Sequence, residues 1–345
     1  PGPGGPPDLT AIGTSIFLFE QWVAGGQVGA PPDLSPLLAV AQPNEGWFAW
    51  TLAPFAPRAN VAESISDDQV TGTAKLTWFA NDSMMFYGSY STGFKSGGTN
   101  TDRLFEFQQQ IFDAETSKSM EIGFKGDFGD RFRLAANIYQ TDFDDFQANS
   151  FTGVGFNLRN AGDLEIKGIE LEYLWQVMDN MSISGYFAHN EGDYISFEGA
   201  TCQDAGPWHA LSVDPGLNPA TGACDRNGEP IPYNPEDRFN IGVTQNIPMN
   251  GGNMFLRAEY AWTSEFTSDG DNDPLTTQDD FGILNVRLGV DLDDWNSTIT
   301  LWGRNVTDER YFTGSFDPPL QDPGRMNSYP SEPATYGITF RKNWD

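Results

Sequence analysis

The sequence predicts an all-β fold: an antiparallel up-and-down transmembrane β-barrel wall of about eleven strands. Three observations lead there. From Val70 onward apolar residues recur with period two, the mark of a strand with one apolar and one polar face. Most of these segments approach the roughly 9–11 residues that cross a bilayer at a tilt, which is long for a soluble strand. Short turns and long loops alternate along the chain, so an up-and-down sheet collects every turn on one rim and every loop on the other. A soluble sandwich has no reason to sort its loops this way.

Composition narrows the function classes. The 345 residues carry 19 Lys+Arg against 48 Asp+Glu, a formal net charge of −29, which repels phosphate backbones and argues against a nucleic-acid partner. With Gly 37, Pro 23 and 14% aromatic residues, the chain lacks the bias of a disordered or low-complexity polymer. No segment approaches the roughly 20 apolar residues of a transmembrane helix. The sequence starts at Pro1 without a basic n-region or apolar h-region, and we read it as a fragment or mature portion.

The elements follow in order. Residues 1–60 are Pro/Gly-rich and poorly assignable, while 61–345 form the barrel portion. A preceding strand is expected near 47–52, and a long connection over 54–68, because the first clear strand ends in a tight turn and must descend from the loop rim. Strands are expected near 70–79, 84–95, 117–128, 131–138, 168–175, 181–195, 238–247, 254–263, 285–292, 297–307 and 334–340. In the clearest of them, Phe132, Leu134, Ala136 and Ile138 alternate with Arg131, Arg133, Ala135 and Asn137. Likewise Ile169, Leu171, Tyr173 and Trp175 alternate with Gly168, Glu170, Glu172 and Leu174. Tight turns fall near 80–83, 129–130, 176–180, 248–253 and 293–296; long connections occupy 96–116, 147–157, 196–237, 264–279 and 308–333.

Two further patterns fit a membrane wall. Trp78, Phe79, Phe86, Phe128, Phe132, Trp175, Trp262 and Trp295 stand close to strand ends, where rings anchor at bilayer interfaces. Glu121, Lys125, Arg131, Arg133, Glu170, Glu172, Arg257, Glu259, Arg287 and Arg304 all fall opposite the apolar stripe, where a wet lumen accommodates them without desolvation. Cys202 and Cys224 bracket a Gly/Pro/Asp-rich loop, and an isolated pair so placed suits a disulfide in an oxidising compartment, worth about 3 kcal/mol.

Several runs carry a family resemblance. Tyr87-Gly88-Ser89-Tyr90-Ser91-Thr92-Gly93-Phe94-Lys95-Ser96-Gly97-Gly98 resembles a run in the barrels of TonB-dependent outer-membrane receptors. Glu121-Ile122-Gly123-Phe124-Lys125 is similar to the next signature, followed by Asn160-Ala161-Gly162 leading to Lys167-Gly168-Ile169-Glu170-Leu171-Glu172. Leu301-Trp302-Gly303-Arg304-Asn305-Val306-Thr307-Asp308-Glu309-Arg310-Tyr311 resembles the penultimate strand. The resemblance implies a plugged barrel of about 22 strands in the outer membrane of a Gram-negative bacterium. It further implies contact with outer-membrane lipid and lipopolysaccharide, and import of a ferric siderophore or similar chelate, a glycan or cobalamin with energy from the TonB complex. This chain carries about half the strands and no recognisable plug or TonB-contacting segment, so the coupling to TonB is expected through an N-terminal plug region outside it. Such barrels end on an aromatic residue, whereas Trp344 here is followed by Asp345.

Arg58, Lys95, Arg103, Trp208, His209, Arg226 and Tyr233 are placed on or beside the loop rim, where an arriving ligand meets them. Lys95, Arg103, Trp208, His209 and Tyr233 are the substrate-binding candidates, against the ordinary alternative of solvated loop chemistry. Trp208 and His209 stand out because aromatic rings stack on sugars or planar chelates. Asp269, Asp271 and Asp273 have the spacing of a calcium loop, but Pro274 stands where Gly is needed, so a solvated acidic loop tip and no metal site is expected. Asp142, Asp144 and Asp145 offer paired carboxylates without any further constellation, and no nucleophile elbow, zinc helix or phosphate loop is present. No catalytic residue and no cofactor is therefore expected. The competing reading is a secreted, soluble all-β carbohydrate-binding protein, in which the apolar stripes would be sealed face to face.

Overall fold

The computed structural model describes residues 62–100, 110–151, 156–200, 224–316 and 326–344. Their main feature is one eleven-stranded antiparallel sheet. We number its strands β1 (Thr73–Asn81), β2 (Met84–Lys95), β3 (Glu115–Phe128), β4 (Phe132–Asp144), β5 (Leu164–Met178), β6 (Met181–Tyr194), β7 (Asp237–Met249), β8 (Gly252–Thr263), β9 (Phe281–Leu292), β10 (Ser297–Arg304) and β11 (Thr335–Lys342). Each strand pairs with its neighbours in chain order, and no pairing among the described residues joins β1 to β11. Among the described residues the wall is therefore open, as expected. No helix among the described residues is long and apolar enough to cross a membrane, which says nothing about strands.

Register decides which side chains share a face. Ile122 of β3, Ile138 of β4 and Ile169 of β5 are direct cross-strand partners, so they form one row on one side of the sheet. Leu256 of β8, Leu288 of β9, Leu301 of β10 and Ile338 of β11 make a second row on the same side. These residues stay exposed, Ile122 at 64% and Ile338 at 68%. So continuous an apolar surface exceeds what a soluble monomer leaves in water, and no second layer covers it among the described residues. The sealed sandwich is thereby contradicted: hydrocarbon is the solvent this face is built for.

An aromatic belt runs across the turn end of the apolar face. Trp78 stacks on Phe86 with centroids 5.5 Å apart, Phe86 meets Phe124 at 5.0 Å, and Phe132 pairs with Trp175 across β4 and β5. Near the loop end of the same face Phe239 stacks on Trp262 at 5.6 Å. One ring expected to anchor at the bilayer interface lies inward, and one expected face assignment changes. Phe79 alternates with Trp78 and lies on the polar side, and Arg131 sits in the turn before β4, where it bonds Asp179 at 2.6 Å across to the next turn.

The short turns join β1 to β2, β3 to β4, β5 to β6, β7 to β8 and β9 to β10, and the long connections lie between these pairs. At the first, the Asn81 side chain accepts from the Ser83 N–H at 2.9 Å, and at the last Asn296 takes a left-handed backbone with φ 44°. Each long connection carries a two-stranded ribbon of its own, which period-two reading missed because the ribbons are short: Gly98–Thr99 with Ile111–Phe112, Gln147–Phe151 with Phe156–Asn160, Glu198–Ala200 with Cys224–Asp225, Phe266–Thr267 with Thr277–Gln278, and Phe312–Phe316 with Asn327–Pro330. β10 ends at Arg304, short of the expected 307, because Asn305 turns left-handed and its buried amide donates to the Glu309 and Glu332 carbonyls. The hydrophobic core sits at this rim: Ala161, Leu164, Tyr194, Phe197 and Ala200 are buried together, with Phe143, Phe146, Ile166 and Ile231 packed against them. The expected strand near 47–52 lies outside the described residues.

Candidate functional site

Opposite the isoleucine row the same register gathers polar groups. Tyr87 of β2 donates to Glu121 of β3, and the Lys75 ammonium lies 4.3 Å from the Tyr87 ring centroid. Asn137 donates to Glu170 at 2.9 Å, Tyr139 to Asn190 at 2.8 Å, and Thr141 to Ser119 at 2.9 Å. Ser119, Glu121, Asn137, Tyr139 and Glu170 line an open cleft of about 260 Å³ on this face. The Tyr87 ring reaches across β3 because position 123 is glycine; a Cβ there would run into the ring. The cleft is acidic, it opens to the lumenal side, and its carboxylates are held by neutral hydroxyls and amides. A cationic group from a partner seated in the lumen would complement it.

Toward the loop end of the outward face lies a band of charge, which the isoleucine row meets where Ile169 faces His189. Lys167 bonds Glu191 at 3.1 Å, His189 Nδ1 meets Asp237 at 2.9 Å, and Lys118 meets Asp144 at 2.8 Å. These are exposed pairs of small individual worth. Asp144 is thereby a cross-strand partner of Lys118, while Asp142 accepts from Gln140 of its own strand at 2.9 Å.

The loop residues separate into distinct outcomes. Lys95 closes β2 at the loop rim, 4.0 Å from Glu115, with its side chain 57% exposed. Tyr233 is 55% exposed and adopts φ 59°, uncommon for a bulky residue. Burial of part of the phenol, with Asp269 and Tyr329 nearby, pushes its pKa above the ordinary tyrosine range. Arg58, Arg103, Trp208, His209 and Cys202 lie outside the described residues. Cys224 is 1% exposed and is not a free thiol.

Two expectations are corrected. Arg226 is 1% exposed and bonds Glu229 at 3.3 Å, so it holds the rim core instead of meeting a ligand. Asp271 and Asp273 form no solvated tip: both are buried, Asp271 accepting from the Asp273 N–H at 3.1 Å and Asp273 from the Leu275 N–H at 2.8 Å. Asp273 caps the short turn at Pro274–Thr276, and Asp271 in its turn caps the Asp273 N–H. No group of three metal-ligating side chains occurs among the described residues.

The lumenal cleft escaped sequence reading as a unit. Glu121 and Glu170 were legible as polar-face residues, but 49 positions separate them and only the β3–β4–β5 register brings them to one cleft. The loop residue Tyr329 gave no signal at all, since the short ribbon that sets it against Phe316 and Gly314 spans too few residues to show a period.

The family model described as "TonB dependent receptor-like, beta-barrel" matches residues 49–306. Among curated proteins, the probable TonB-dependent siderophore receptor PiuA of Acinetobacter baumannii is 23% identical over 276 residues, 77% of this chain and 33% of the relative. The pesticin receptor of Yersinia pestis is 26% identical over 254 residues, 72% of this chain and 32% of the relative. Among solved structures, the ferric yersiniabactin uptake receptor FyuA from Yersinia pestis superposes with a TM-score of 0.64 at 21% identity, covering 81% of this chain and 38% of that one. The Acinetobacter baumannii PiuA structure gives 0.57 at 18%, covering 78% and 35%. The chain thus spans about a third of the length of the curated relatives it matches, and those relatives are receptors, not enzymes. With its open antiparallel wall, outward apolar rows and sorted loops, the chain belongs to the TonB-dependent receptors, as a stretch of their outer-membrane β-barrel.

Proposed function

We propose that this chain forms part of the wall and outer loops of an outer-membrane receptor that takes up a small ferric chelate, with transport driven by TonB through a plug seated in the lumen. The observation that carries the reading is the two-sidedness set by register: Ile122, Ile138 and Ile169 face outward while Glu121, Asn137 and Glu170 face inward. One side suits acyl chains and lipopolysaccharide, the other a wet lumen with a complementary cationic partner. The named cargo of relatives, a siderophore for PiuA and ferric yersiniabactin for FyuA, favours a ferric chelate over a glycan or cobalamin.

Within this reading residues 1–60 precede the barrel portion at 61–345, and no nucleic acid, resident metal or catalytic step is involved. Lys95, Arg103, Trp208, His209 and Tyr233 are the loop residues a ligand meets. Cys202 and Cys224 form a bridge that tethers the loop carrying Trp208 and His209, lowering the ordering cost of binding. Peptide mapping without reduction should recover the two cysteines in one linked fragment.

Uptake of radioactive iron by cells carrying the complete gene, with and without a functional TonB complex, tests the function. Accumulation that depends on both is expected; equal accumulation in the absence of the gene would end the proposal.

A further inference from the structure

Three outer loops bring four aromatic rings together, and of the four only Tyr233 was a binding candidate from sequence. Tyr233 comes from the β6–β7 connection, Phe266 from the β8–β9 ribbon, and Phe316 and Tyr329 from the β10–β11 ribbon. Tyr233 packs on Phe266 with centroids 6.4 Å apart, and Phe316 on Tyr329 at 5.8 Å. Gly314 lies between the two pairs: a Cβ there would stand 3.4 Å from the Tyr233 hydroxyl and 3.9 Å from the Tyr329 ring, in ordinary contact with both, so the two tyrosines converge on this position and only a side chain larger than a methyl would part them. The underlying frame is fixed. The Ser315 N–H donates to Ser268 Oγ at 2.9 Å, both serines are 2% exposed, and the Tyr233 N–H donates to the Thr267 carbonyl at 2.7 Å, holding the left-handed backbone. Yet the rings themselves stay open, Tyr233 at 55% and Tyr329 at 61%. Exposed rings on a rigid base with a strained backbone are placed for contact, not for packing.

We infer that Tyr233 and Tyr329 over Gly314 form a stacking platform for a planar aromatic group that is neutral or cationic. This rests on the receptor reading and names its ligand class. Polar groups around the platform are engaged in the frame: Ser268 Oγ donates to the Thr276 carbonyl, Ser315 Oγ to Ser328, Thr313 to the Tyr329 carbonyl. A sugar, which needs its hydroxyls read, is therefore poorly served, whereas a flat ring needs only faces. Charge selects further. Asp269 stands two residues after Thr267, whose carbonyl accepts the Tyr233 N–H at 2.7 Å, so the β8–β9 connection brings a carboxylate to the edge of the platform, and none of the cation–ring contacts among the described residues involves these rings. The ring faces and the carboxylate together repel a polyanionic chelate.

The test uses the full receptor in detergent with two probes, neutral ferric tris(8-hydroxyquinolinate) and trianionic ferric tris-catecholate, and reads binding by equilibrium dialysis. Tyr233→Ala and Tyr329→Ala should each weaken the neutral probe about tenfold, a stacking loss of roughly 1.4 kcal/mol, while Tyr233→Phe and Tyr329→Phe stay within about twofold. Gly314→Leu should act like the alanine variants by parting the rings. Unchanged binding in both alanine variants, or a trianionic probe bound as tightly as the neutral one, overturns the platform. Retained heat-modifiability confirms that each variant is folded. Iron uptake that persists unaltered in Y233A and Y329A sinks the platform and leaves the receptor standing, whereas no uptake in any form, wild type included, sinks the receptor.

Discussion

Asp308 accepts a hydrogen bond from the backbone N–H of Ala334 at 2.8 Å, joining the start of the last long connection to its end. The same carboxylate takes a second bond from Arg310 at 2.8 Å. The Ala334 N–H, and after it Arg310, hold the Asp308 carboxyl below the usual aspartate range. A carboxyl held low contributes stability that is present above its unfolded-state value and is lost as pH falls through the folded value. The β10–β11 connection should therefore loosen on acidification below about pH 4. Protection of the Ala334 amide, taken relative to its intrinsic exchange rate at each pH, measures it, and in Asp308→Asn the acid step should vanish with protection low throughout.

The outward rows make a depth-dependent prediction. Ile138, flanked by Ile122 and Ile169, sits within the apolar face, so Ile138→Arg should cost about 2–4 kcal/mol of folding into vesicles. Ala135 of the same strand points to the lumen opposite Glu172, and Ala135→Arg should leave insertion nearly unchanged. Urea titrations followed by the gel shift of the folded barrel separate the two. Equal sensitivity would mean that lipid does not see one face alone.

Gly123 and Tyr87 should behave as a coupled pair. Gly123→Val forces the Tyr87 ring off β3 and breaks its bond to Glu121, with a penalty of about 1–3 kcal/mol for overpacking. In the Tyr87→Ala background the same change should cost far less. A double-mutant cycle on unfolding midpoints reads the coupling, and strict additivity would show that the ring does not occupy this position.

Arg226 is the buried charge of the rim. Arg226→Ala leaves Glu229 without that partner and opens a space beside Tyr194 and Phe197, so local stability should drop by about 2 kcal/mol or more. Limited proteolysis should then cut near 224–231 while the wall strands stay protected.

By itself the sequence determined the wall. Alternation between residues such as Phe132 and Arg133 reports its face at every second position, and turn chemistry at Gly129–Asp130 or Asn296 is local, so strand count, handed-off turns and the two-faced character were legible from neighbours in the chain. Ordered motifs from Tyr87 to Tyr311 added the family. What tertiary structure decided are the relations between loops and across strands. The meeting of Glu121 with Glu170 depends on register, the burial of Arg226 and the capping roles of Asp271 and Asp273 depend on how the rim closes, and the convergence of Tyr233 and Tyr329 over Gly314 joins loops nearly a hundred residues apart. The physical reason is the range of the forces involved: a period-two pattern is imposed on each strand separately by the boundary between lipid and water, while a loop side chain acquires its partner only after the strands beneath it have paired.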